Sequence, residues 1–196
     1  MHKNISKKII ERFSRGFTLV ESMVAISILS IVIAGTFTAV VNGLQSSSYA
    51  KDQITAFWLA QEGMEFIKNV RDENALHSLA GGTNTWLTGL SAVTTDPCWF
   101  GGSGTAQKTC TIDSNIGVVN GVATCAGGFG TCPVIREDPA TGLMGYNGGW
   151  NATSFRREIQ FQSISATEVA VTIRMSWTNR ARSRSFQITE TLFNRQ

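Results

Sequence analysis

Histidine is almost missing from this chain: His2 lies near the start and His77 stands by itself far downstream. No Ser/His/Asp, HExxH or phosphate-cradling glycine motif accompanies them. The paired carboxylates Asp72-Glu73 and Glu137-Asp138 read as solvated turn residues rather than acid/base machinery. Catalysis is therefore not expected, and neither catalytic residues nor cofactors are assigned. Cysteine is also scarce. Cys98, Cys110, Cys125 and Cys132 are separated by eleven, fourteen and six residues, without the tight C-x2-4-C pairs of finger-like zinc sites, so no metal is expected. Charge is lacking where it matters most: from Phe17 to Leu44, 28 residues contain Glu21 as their only charged group.

The 42% hydrophobic content excludes a disordered chain, and 196 residues suit one ordinary domain with an appendage. The net charge of +3 is unevenly spread. Lys3, Lys7, Lys8, Arg12 and Arg15 against Glu11 give residues 1–15 a local +4, and everything after them sums to −1. A helix over Phe17–Leu44, rising about 1.5 Å per residue, exceeds the roughly 30 Å hydrocarbon core of a bilayer. The basic start stays cytoplasmic by the positive-inside tendency, and the remainder lies outside. A cleaved secretory signal is the rival reading. Its apolar region is ordinarily shorter and ends in a small-x-small site, whereas here Ala34-Gly35 and Ala39 only imitate one and the run continues. The glycine that stands apart is Gly16, before the run.

"RGFTLVE", residues 15–21, resembles the type III signal of type IV prepilins and type II secretion pseudopilins. That resemblance implies cleavage between Gly16 and Phe17 by a membrane-embedded prepilin peptidase, and N-methylation of Phe17. A carboxylate at mid-bilayer costs about 2.5–3.5 kcal/mol, less near an end, so Glu21 needs a partner or water. The resemblance implies that it pairs with the cationic N-terminus of a neighbouring subunit and sets axial register. Snorkelling to the headgroups, or an interaction with the helix dipole, is the plainer alternative.

Beyond Leu44, Ile54, Phe57, Ala60, Met64, Ile67 and Val70 recur at steps of three and four, so one helix is expected from about 17 to 72, apolar all round and then amphipathic. Gly35 and Gly43 mark either a bend or close helix packing in the membrane. Residues 74–151 are rich in glycine, threonine, serine and asparagine and read as loops with short strands such as "TCTID" and "GVVNGVATC". Outside the cytoplasm the four cysteines can staple those loops. Three pairings are open; loop closure favours Cys98 with Cys110 and Cys125 with Cys132. Residues 152–196 hold three alternating segments, an antiparallel meander whose dry face covers Phe57, Met64 and Ile67. In the last segment Glu190 falls on the dry face. Either it sits at the sheet margin, or a bulge turns Phe193 inward.

The expected architecture is α+β: a pilin fold with a long N-terminal helix on a small antiparallel C-terminal sheet and a glycine-rich, cysteine-containing loop region between them. The expected parts are a leader (1–16), a membrane and assembly half-helix (17–44), an amphipathic half-helix (45–73), the variable loops (74–151) and the meander (152–196), with 45–196 forming the extracytoplasmic domain. "AFWLAQEGMEFIKNVRD" and "VTIRMSWTNRARSRSFQITETLFN" resemble V-type pilus modification proteins and I-type minor pseudopilins. The partners so implied are other pilins through their N-terminal helices, the prepilin peptidase and an inner-membrane assembly platform. The implied location is the cytoplasmic membrane, then a pilus or pseudopilus. Two alternatives remain. A tip-exposed binding pilin, for adhesion or DNA uptake, would use either the cysteine-rich insert or Arg174, Arg180, Arg182 and Arg184 around the last hairpin, which suit DNA phosphates or another anionic surface, against a merely solvated hairpin. A membrane-anchored surface protein that never polymerises is the other.

Overall fold

A computed structural model describes residues 16–102, 106–179 and 182–194. The chain divides into two compact units, one up to Ser47 and one from Ser48 onward. Helix α1, Leu19–Leu79, contributes to both. In the first unit its side chains are almost all exposed, and an 18-residue window has a mean hydropathy of 2.4 with none of it buried.

α1 runs past the expected end near Asp72 because "ENALHSL" holds no breaker. Its stop is a Schellman motif. Gly81 takes φ +88°, its N–H donates to Ser78 O at 3.0 Å, and the Gly82 N–H donates to His77 O at 3.0 Å. A Cβ on Gly82 would lie 1.9 Å from His77 Nδ1, so the turn needs glycine at both places.

The second unit is built on a five-stranded antiparallel sheet. The strands are β1 Thr109–Ile112, β2 Val122–Thr124 (entered from a one-turn helix α2, Val118–Gly121), and, further along, β6 Phe155–Ser165, β7 Glu168–Asn179 and β8 Arg182–Phe193, in spatial order β2-β1-β6-β7-β8. Between β2 and β6 lie β3 Arg136–Glu137, β4 Met144–Gly145 and β5 Asn151–Ala152, which form a small separate sheet in the order β4-β3-β5. Along β7, Val169, Val171, Ile173, Met175 and Trp177 are buried, as alternation predicts.

The helix face that meets the sheet is rotated from the expected one. Ala60, Met64, Ile67 and Val70 are buried, but they are joined by Ala56, Leu59, Gly63 and Asn74, while Ile54 (57% exposed) and Phe57 (46%) stay at the surface. The small residues explain the rotation. A Cβ on Gly63 would stand 3.1 Å from Arg157 Cδ and 3.4 Å from Ile173 Cδ1, so glycine lets α1 close down over an arginine of β6.

Glu190 settles at the sheet margin without a bulge. β7 and β8 pair in unbroken register from Asn179↔Arg182 to Glu168↔Phe193, and the Glu190 carboxylate reaches Lys68 of α1 at 2.9 Å. The one register shift of the meander lies instead in β6, between Ser163 and Ser165.

Both disulfides join sequence neighbours. Cys98–Cys110 ties the loop after α1 to β1, deep in the core. Cys125–Cys132 closes a loop whose Gly130 and Cys132 N–H groups donate to Glu158 Oε1 at 2.6 and 3.3 Å. That loop covers Glu158, which is 1% exposed.

Candidate processing and assembly site

Gly16, Phe17 and Thr18 are non-helical and exposed, and α1 begins directly after them. Thr18 is the reason for that boundary. Its Oγ1 accepts the Glu21 N–H at 3.2 Å, the first half of a T-x-x-E capping box. Glu21 therefore sits in the first helical turn, exposed, where the helix dipole favours a negative charge. This cap is legible in "TLVE", where a threonine stands three residues before a glutamate at the head of an apolar run.

The apolar stretch carries hydroxyls, and four of them donate to carbonyls of the same helix. Ser27 and Ser30 donate to the carbonyls of Met23 and Ile26 at 2.8 Å, Thr38 to that of Ala34 at 2.9 Å, and Thr36 to that of Ile33 at 3.0 Å. No side-chain hydroxyl among these four would enter a bilayer unpaired, which is what hydrocarbon demands.

The glycines of this region are not demanded by the chain's own packing. Around Gly16, Gly35 and Gly43 nothing lies within 4 Å of where a Cβ would be. Among the described residues, nothing in the chain's own packing requires glycine at any of the three.

Arg174 and Arg184 of the last hairpin do not lie on one surface. Arg180 lies outside the described residues. Arg174 pairs across strands with Gln187, on the sheet face opposite the core, and its guanidinium sits 5.4 Å from the Phe129 ring centre in the Cys125–Cys132 loop. Arg184 pairs with Trp177, which places it on the helix side of the sheet, 5.3 Å from the ring centre of Tyr49. Arg182 is exposed at the start of β8, opposite Asn179, whose amide donates to the Asp52 carboxylate. The expectation that Arg174 and Arg184 share an anion-binding patch is corrected by this register, since opposite faces of a sheet cannot grip one phosphate run.

Among the charged groups, sequence reading missed Arg157. Its side chain is 2% exposed; Nη1 donates to Leu59 O at 2.7 Å and lies 3.6 Å from Glu62 Oε2, while Nη2 donates to Ile112 O. One guanidinium thus joins α1, β1 and β6. The signal was present, because in "FRREIQF" Arg157 shares the inward phase of Phe155, Ile159 and Phe161.

Among families of known proteins, residues 12–37 match the one described as the Prokaryotic N-terminal methylation motif. Neither the curated proteins nor the solved structures hold a match.

Proposed function

We propose that this chain, which its N-terminal methylation motif places in the superfamily of type IV pilins and type II pseudopilins, is a minor subunit of such a filament or of its initiating tip. The fold is the pilin-like α+β one, and the role is structural rather than enzymatic, as it is for pilins at large. The apolar start of α1 together with the motif suggests anchoring in the inner membrane before assembly.

The observation that carries the finer reading is the junction at Thr18. A prepilin peptidase must bind an extended segment, and the cap ends α1 two residues short of the Gly16–Phe17 bond, leaving that bond non-helical beside an apolar helix. Cleavage there gives Phe17 a cationic amino group, which N-methylation keeps cationic. Glu21, held in the first turn, offers the opposite charge to the terminus of a neighbour, and pairing relieves the cost of carrying a carboxylate into lipid. The exposed apolar helix then packs with those of other subunits, handed on from the membrane by an assembly platform. The minor assignment is supported by the likeness of the α1 and β7–β8 segments to V-type and I-type minor subunits; the long disulfide-pinned region between α1 and β6 departs from a plain member of either group and fits a specialised exposed surface or a different minor class.

N-terminal mass spectrometry of the protein from hosts with and without prepilin peptidase tests the reading. A methylated chain starting at Phe17, present only with the enzyme, is the expected result. A chain still starting at Met1 in the competent host overturns it and leaves the non-polymerised surface anchor.

A further inference from the structure

Strand β8 lies at one edge of the five-stranded sheet, paired among the described residues only with β7. Sheet edges are ordinarily blunted by shortness, proline, charged side chains or a bulge. β2 at the other edge is three residues long, but β8 has twelve, with unbroken register and no proline, and its charges Arg182, Arg184 and Glu190 leave the stretch Ser185–Thr189 between them uncharged. Beside this edge runs an apolar depression of about 500 Å³, lined by Ile54, Phe57, Trp58 and Gln53 of α1 and by Phe186 and Ile188 of β8. Ile54 and Trp58 are more than half exposed, although nothing in the fold prevented polar residues there.

We propose that β8 and this groove receive an extended strand of a different protein, added antiparallel to β8, with the pattern apolar-x-apolar-x-acidic read from its N-terminal end. An added strand continues the ladder of an already antiparallel sheet, and its alternate side chains share a face with those they oppose. Its residues opposite Ile188 and Phe186 enter the groove, which sets two apolar positions two apart. The next one along that face lies opposite Arg184. This guanidinium rests over Tyr49 and has no carboxylate partner among the described residues, so an acid is the matching choice. Glu190, by contrast, already holds Lys68 and asks for no cation.

A second copy of the chain is the obvious competitor, because β8 placed against itself about Gln187 sets Arg184 opposite Glu190 and Phe186 opposite Ile188. In that pairing the acid facing Arg184 is a Glu190 already held by the Lys68 of its own chain at 2.9 Å, whereas a strand of a different protein brings a free carboxylate, so a different protein is the occupant.

The test places a benzophenone cross-linker at Gln187 of the full chain in its producing host, with Ala123 on the β2 edge as the control position. The expected result is an adduct from Gln187 alone, whose partner peptide, sequenced by mass spectrometry, carries apolar-x-apolar-x-acidic. Arg184→Glu should cut the adduct at least tenfold, and changing the partner's acid to lysine should restore it. An adduct with this chain's own β8, a peptide without the pattern, or no adduct specific to Gln187 overturns the proposal. The N-terminus is sequenced in the same samples. A correctly cut chain without the adduct sinks this inference alone, and an uncut chain with the adduct sinks the filament reading alone.

Discussion

Arg157 of β6 and Glu62 of α1 approach to 3.6 Å across the interface of helix and sheet, with the cation sealed from water and the acid 36% exposed. The asymmetry matters. The Glu62 carboxylate keeps contact with solvent and accepts the Ser114 hydroxyl, whereas the guanidinium depends on protein groups alone. Removing it as Arg157→Ala strips partners from two carbonyls and opens a cavity, for a cost of about 2–4 kcal/mol. Arg157→Met, which keeps the volume, should cost less. Unfolding midpoints of the full chain in detergent check both, and equal losses would show that volume plays no part.

Tyr146 supplies a pH dependence. Burial pushes its hydroxyl up to about 12 from an ordinary value of 10, against the smaller opposing pull of the nearby Arg157 charge. The folded state then holds the phenolic proton after the unfolded chain has lost it. Tyr146 therefore adds nothing to the pH dependence below pH 10, and between about 10 and 12 stability falls as pH rises. Tyr146→Phe should remove that part of the slope, measured by denaturation at pH 9 and pH 11, and an unchanged slope would refute the assignment.

The Cys125–Cys132 bridge holds the loop that satisfies Glu158. Replacing both cysteines by serine should cost about 2–4 kcal/mol through the unfolded state and leave the Gly130 and Cys132 N–H donors poorly placed. Glu158→Gln ought then to cost less in the serine background than in the bridged chain, because the loop no longer aims its donors. A double-mutant cycle reads this coupling directly. Strict additivity would mean that the carboxylate is served without the bridge.

How far the sequence speaks for itself differs between the elements. β7 is read correctly to the residue, since an inner strand with one covered face must alternate. α1 is read in kind but not in phase. Hydrophobicity favours Ile54 and Phe57, yet what selects the buried face is the room that Gly63 gives to Arg157, a long-range contact no local pattern contains. The apolar periodicity runs out at Val70 and so puts the helix end near Asp72, while the stop lies at Ala80-Gly81-Gly82, where Gly81 takes a left-handed conformation. At the N-terminus almost everything is local, so the motif, the apolar run and the cap all lie within a few residues.

Glu21→Ala separates processing from assembly. The cap is a main-chain bond to Thr18, so α1 should still start at Leu19 and cleavage at Gly16 should persist. The cut chain should then remain in the membrane fraction and be depleted from sheared filaments at least tenfold, relative to the wild type. Normal recovery in filaments would return Glu21 to a purely local role at the helix start.

Gly16→Ala asks which molecule needs the glycine. Open space surrounds the position, and its conformation lies outside the helix, so the fold has no use for a missing side chain. The variant should therefore keep its disulfides and its unfolding midpoint in detergent while N-terminal sequencing finds it uncut. Loss of folding together with loss of cleavage would place the requirement inside the chain. Cleavage at the wild-type rate would mean that a methyl group at this position is tolerated by the peptidase, and the boundary set by Thr18 would then be the more important signal.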